Sequence, residues 1–243
     1  MELKVLSKEE VNKVVSEEII TLINNSSKCV LGLATGSTPL GVYKKLVEAY
    51  QRKEVSFENV ESFNLDEYVG LEEENNQSYR YFMNHNLFNH INIDKEKTYI
   101  PSDDEKCENH YLSYDKKIKS HGGIDLQILG IGSNGHIAFN EPGTSFDSLT
   151  HIVTLKESTI KDNSRFFNSI DEVPTKAISM GLKSIMNAKR IILIAFGENK
   201  KEAIRCLFEN DADVNLPASV LKNHDNVTIY CDEEASSLLT IKL

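Results

Sequence analysis

The chain has 243 residues, 40% of them hydrophobic and 26% charged. That balance excludes a disordered, collagen-like or coiled-coil protein, and the length suits one domain around a large core. Basic residues number 27 against 37 acidic, a net charge of −10, so nucleic acid and anionic membrane are poor partners while a small anionic substrate stays open.

Ser7-Lys8-Glu9-Glu10 has the form of a capping box and predicts a helix to about Ile23. Cys29 to Ala34 reads as a short buried strand. Thr38 before Pro39 predicts a cap and a helix start, with the helix running through Val42, Leu46 and Val47. Val60 to Leu65 is strand-like, and Tyr79 to Ile91 has helical periodicity. Ser102, followed by Asp103, Asp104 and Glu105, predicts another helix that stops near His121 before Gly122 and Gly123. Ile124 to Ile131 and Arg190 to Phe196 are apolar strands; a helix is expected over Lys200 to Phe208, a strand over Val227 to Cys231 and a helix over Glu233 to Leu239.

This alternation predicts an α/β protein, a three-layer α/β/α Rossmann-like fold with a mostly parallel central sheet. No repeat or linker divides the chain, so residues 1–243 are expected to form a single domain. Residues 143–175 are the least regular and suit a lid. Cys29, Cys107, Cys206 and Cys231 form no C-x-x-C pair, which suits a reducing compartment. The start of the chain lacks a signal-peptide plan, and the longest apolar run, Ile191 to Phe196, is too short for a bilayer. A cytoplasmic protein is expected.

Three segments leave strands at the end where open α/β sheets bind ligands. Thr35-Gly36-Ser37-Thr38-Pro39 combines hydroxyls, a close-approach glycine and a helix start, the composition of a phosphate cradle. An ordinary capped turn has the same composition, and alone the segment favours that reading. Phe63-Asn64-Leu65-Asp66-Glu67-Tyr68 sets two carboxylates after an apolar strand; one can serve as a general base, or Asp66 caps a turn and Glu67 is solvated. Gly130 to Gly143 holds four glycines and five polar side chains, among them His136 and Glu141. A histidine there is a natural proton shuttle, with Glu141 placed to orient it. Arg165, beside Phe166 and Phe167, and Lys200, after the strongest strand, are candidate phosphate cations; each taken alone favours a plain surface position.

Together these motifs resemble glucosamine-6-phosphate deaminases, also called glucosamine-6-phosphate isomerases. The resemblance rests on Leu33 to Pro39, Phe63 to Leu71, Gly135 to Pro142 and Asn163 to Phe167, which span most of the chain. It implies deamination of glucosamine 6-phosphate to fructose 6-phosphate and ammonia, with no redox cofactor and no metal. It implies that Asp66 moves a proton from C2 to C1, that His136 opens the sugar ring, and that Asn134 and Glu141 hold and tune His136. Thr35, Gly36, Ser37, Thr38, Arg165 and Lys200 would bind the substrate phosphate.

Asn134 stands where many members carry Asp. It brings no charge, so it should raise the basicity of His136 less. The stretch His151-Ile152-Val153-Thr154 lacks the basic pair of allosterically activated members, and the chain ends at Leu243. A monomer or small homo-oligomer without such activation is expected. The rival readings are a 6-phosphogluconolactonase-like hydrolase on the same fold and a non-catalytic sugar-phosphate sensor.

Overall fold

The computed structural model describes residues 1–240 except 109, 157–159, 162, 163, 165, 166 and 168. Its main sheet has seven strands: β1 (Glu2–Val5), β2 (Cys29–Leu33), β3 (Val60–Asn64), β5 (Thr98–Tyr99), β6 (Leu126–Gly130), β9 (Ile191–Ala195) and β10 (Val227–Cys231). The order is β1-β10-β9-β6-β2-β3-β5, and every pair is parallel. A smaller antiparallel sheet joins β4 (Asp66–Tyr68), β8 (Lys176–Ser179) and β7 (His151–Thr154). Leu65 couples the sheets: its N–H donates to the Leu33 carbonyl at 3.2 Å and its carbonyl accepts from Met180 N–H at 2.7 Å.

Strand alternation sorts the core onto two faces. Leu129, Ile191, Leu193 and Ile229 face α4 (Tyr111–Ser120), α5 (Leu182–Met186) and α6 (Lys201–Glu209). Ile128, Ile192, Ile194 and Tyr230 face α1 (Lys8–Asn24), α2 (Leu40–Gln51) and α3 (Tyr79–Asn86). The expected three layers are present. Most of these strand residues are fully buried, and each contributes about 1.5–3 kcal/mol of transfer free energy. The helix of the capping box forms as predicted, with Ser7 N–H donating to Glu10 Oε2 at 3.0 Å and Glu10 N–H to Ser7 Oγ at 3.3 Å.

Several boundaries differ. Thr38 does not cap α2; Pro39 holds the N-cap place without a side-chain bond, and Thr38 lines a cavity instead. No helix begins at Ser102. Ser102 Oγ accepts from Asp104 N–H at 3.1 Å and Asp104 Oδ1 from Lys106 N–H at 2.9 Å. Such local bonds close turns that compete with a helix, so α4 begins only at Tyr111. α3 ends at Asn86, with a 3-10 turn over Phe88–His90. The last helix, α7, covers Glu233–Ser236, shorter than expected. Among the described residues no helix is long and apolar enough to cross a membrane.

Candidate active site

The sheet order reverses between β2 and β6. The chain runs outward from β2 to β3 and β5, then returns to β6 on the other side of β2. A ligand crevice opens at such a switch point, beyond the carboxyl ends of the strands. Four neighbouring strands therefore deliver their C-terminal segments to one place: Lys200 after β9, the His136 loop after β6, the Thr35 turn after β2 and Asp66 after β3. They enclose a cavity of about 320 Å³.

One wall is the turn after β2. Thr35, Gly36 and Thr38 line the cavity, and Lys200 lies across it. Gly36 has φ +84°, a left-handed conformation that glycine adopts without strain. Tyr43, fully buried in α2, donates its hydroxyl to the Ala34 carbonyl at 2.6 Å and fixes the turn. Hydroxyls, a helix start and an ammonium make this wall complementary to a phosphate. Ser37 is exposed and lines an adjoining 240 Å³ pocket instead. Arg165 lies outside the described residues.

Asp66 forms the opposite wall. It is 6% exposed and lines the cavity. No hydrogen bond among the described residues reaches its carboxylate. Burial, with the neighbouring Glu67 charge, pushes its pKa up to about 8. That is a carboxyl poised to exchange protons near neutral pH. β4 sets its position, because Asp66 pairs with Ser179 of β8. Glu67 is not solvated, as the plainer sequence reading had it: it is 9% exposed and accepts three backbone N–H groups.

His136 completes the cavity. Its Nδ1 lies 3.8 Å from Glu141 Oε1, an ion-pair separation. Glu141 Oε2 accepts from Asn134 Nδ2 at 2.8 Å, and the Asn134 Oδ1 accepts from His136 N–H at 3.2 Å. Glu141 thus stands beside the imidazole, and Asn134 holds Glu141 and the His136 backbone; neither lines the cavity. Lys156 Nζ, 4.0 Å from Glu141 Oε2, adds a cation to this group. The loop is held from below. Asn140, fully buried, donates to the Ile137 and Met180 carbonyls, and Phe139 N–H donates to Ser179 Oγ at 3.1 Å. Ser179 therefore ties both the His136 loop and the Asp66 strand to β8.

Gly132 makes room for the imidazole. A Cβ there would meet His136 ring atoms at 2.2 to 2.5 Å, so Gly132→Ala must swing the ring out of place. Misplacement of a reacting group by about 1 Å costs about 100-fold in rate. The expected result is a kcat lower by about that factor with substrate affinity little changed, read from steady-state kinetics.

Tyr79, Ser133, Ala138 and Asn199 also line the cavity, though the sequence names none of them individually as a site residue. Tyr79 looked only like a helix start. Ala138 has φ +51°, strained backbone of the kind found at functional sites, and an alanine gives no sign of it. Asn199 sits beside Lys200 and shares its strand-end signal. Among the described residues no group of three His, Cys, Asp or Glu side chains is arranged to hold a metal ion.

Residues 5–230 match the family described as glucosamine-6-phosphate isomerases/6-phosphogluconolactonase. The chain is 54% identical over 232 residues to a glucosamine-6-phosphate deaminase of Thermoanaerobacter sp. (strain X514), covering 95% of this chain and 92% of that one. It is 54% identical over 241 residues to another of Mycoplasma mycoides subsp. mycoides SC, covering 99% and 98%. The chain belongs to the glucosamine-6-phosphate deaminase family. A solved monomeric glucosamine-6-phosphate deaminase superposes with a TM-score of 0.95 at 42% identity, covering 98% of this chain and all of that one. The 6-phosphogluconolactonase of Thermotoga maritima superposes with a TM-score of 0.74 at 20% identity, covering 95% and 98%. At that distance the lactonase shares the fold alone, so the deaminase family carries the chemical comparison.

Proposed function

We propose that this protein deaminates glucosamine 6-phosphate, giving fructose 6-phosphate and ammonia. The observation that carries the reading is one cavity that holds a buried carboxylate with a raised pKa and an imidazole backed by a carboxylate, in a chain about half identical to named deaminases. The phosphate rests on Thr35, Gly36 and Thr38 with Lys200; Ser37, which lines the adjoining pocket, and Arg165, outside the described residues, stay in the proposal only as the family resemblance implies. His136, supported by Asn134 and Glu141, moves a proton to the ring oxygen and opens the pyranose. Asp66, as carboxylate, takes the C2 proton and returns it to C1 through an enolamine. The resulting C2 imine adds water and releases ammonia. Phosphate contacts lie far from C1 and C2, so their binding energy serves to orient the reacting atoms.

A lid within residues 143–175 belongs to the same proposal, though part of that stretch lies outside the described residues. So do a cytoplasmic setting and a monomeric or small homo-oligomeric state, supported by the monomeric relative. The deciding experiment incubates purified protein with glucosamine 6-phosphate and assays ammonia and fructose 6-phosphate together. Both products in equal amounts are expected. No ammonia, with turnover of 6-phosphogluconolactone, would move the assignment to the lactonases; saturable binding without turnover of either would mark a sensor.

A further inference from the structure

We infer that Glu67 is the positioning residue for the Asp66 carboxylate, clamping β4 to the first turn of α3. This rests on Asp66 being the base of the proposed deamination. Consecutive residues of a strand point to opposite faces. Asp66 therefore faces the cavity and Glu67 faces away from it, toward α3. There Glu67 Oε1 accepts from Tyr68 N–H at 2.8 Å and Tyr79 N–H at 2.9 Å, and Oε2 accepts from Arg80 N–H at 3.0 Å. Two of the bonds join residues 12 and 13 positions apart in the chain.

A three-residue strand has few other restraints. β8 holds one edge of β4, with Asp66 opposite Ser179, Glu67 opposite Ile178 and Tyr68 opposite Ala177. The carboxylate of Glu67 secures the other side. It also fixes Tyr79, which lines the cavity and stacks parallel to Phe139 at 6.1 Å between centroids. α3 is anchored in turn by Arg80, whose guanidinium donates to Thr98 Oγ1 at 2.8 Å and the Thr98 carbonyl at 2.9 Å. The chain of contacts runs β5, α3, Glu67, Asp66. Only a carboxylate presents two oxygens to three N–H donors with no hydrogen of its own to clash.

Glu67 also acts through its charge, which opposes ionisation of Asp66 and so sustains its basicity. Burial raises the pKa of Glu67 itself, and the three N–H groups oppose that rise. The other polar groups around Asp66 are Tyr79 from α3, Tyr114 from α4, His136 from the loop after β6 and Lys200 from the turn after β9, while the Arg80 charge acts on Glu67.

The test compares wild type, Glu67→Gln, Glu67→Asp and Asp66→Asn with glucosamine 6-phosphate across pH, with folding followed by circular dichroism. Glu67→Gln is expected to lower kcat by about 10- to 100-fold with KM within about threefold, because the lost contacts orient the base and not the phosphate. Its acid limb should move to lower pH, as Asp66 loses the neighbouring charge. Glu67→Asp keeps the charge, so its limb should return to the wild-type position while kcat stays reduced. A Glu67→Gln enzyme with the wild-type limb overturns the inference, whether kcat falls or not. So does failure of both Glu67 variants to fold, since Glu67 then serves the fold as a whole. A wild type that releases no ammonia overturns the deaminase reading itself; an Asp66→Asn enzyme that keeps its activity leaves that reading standing, removes Asp66 as the base and overturns the inference with it.

Discussion

Asp66→Asn is expected to lower kcat for ammonia release by about 10³-fold, within the range for loss of a general base. The C2 proton is a weak acid, and no other described carboxylate lines the cavity. The amide is nearly the same shape as the carboxyl, so the phosphate wall should be undisturbed and KM little changed. The same base sets the pH dependence. In the proposed mechanism Asp66 acts as carboxylate, and burial with the Glu67 charge pushes its pKa up to about 8. Wild-type kcat/KM should therefore climb with pH through that value. Steady-state kinetics from pH 6 to 9 check both points. A variant that keeps more than a tenth of wild-type kcat would remove Asp66 from the base role.

The same substitution is expected to stabilise the protein, increasingly so as pH rises. The native Asp66 carboxyl titrates at about 8 against an ordinary value of 3.8. Between those values the folded chain keeps a proton that the unfolded chain has released. Raising the pH through this window therefore favours unfolding, and below it both states are protonated and no difference remains. Each pKa unit is about 1.4 kcal/mol, so the full window amounts to on the order of 5 kcal/mol. Asparagine does not titrate and escapes the cost. The melting temperature of Asp66→Asn should match wild type near pH 4 and exceed it by roughly 10 °C at pH 8. Thermal melts across that range decide the matter; an offset independent of pH would mean that Asp66 ionises in the native state as it does in water. Stability lost in favour of function is the common pattern at active sites.

Much of the site was legible in single motifs. The glycines and His136 after β6, the carboxylates after β3 and the hydroxyl turn after β2 each follow an apolar strand, and each lies where it was expected. Thr38 as a cap and Ser102 as a helix start follow from side chains that suit those places, yet hydroxyl residues serve turns and cavities equally well. The solvated reading of Glu67 failed because its partners, Tyr79 and Arg80, are 12 and 13 residues away. Tyr79 was invisible as a cavity residue for the same reason.

The small sheet was also missed. β4, β7 and β8 have three or four residues each, too short for alternation to register. Yet Ser179 of β8 holds both the Asp66 strand and the His136 loop.

The periodicity of strands and helices, read along the chain alone, determined the three layers, because burial of apolar residues is a local pattern repeated every two or every 3.6 residues. The chemical inventory was likewise written in the chain, since residue types and their place after strands need no neighbours to be recognised. Tertiary structure decided which of these groups meet. The order of β9, β6, β2 and β3 in the sheet brings four distant segments to one cavity. Burial inside that cavity then raises the pKa of Asp66 toward neutral pH, because desolvation depends on everything packed around a carboxyl and on nothing in its own sequence.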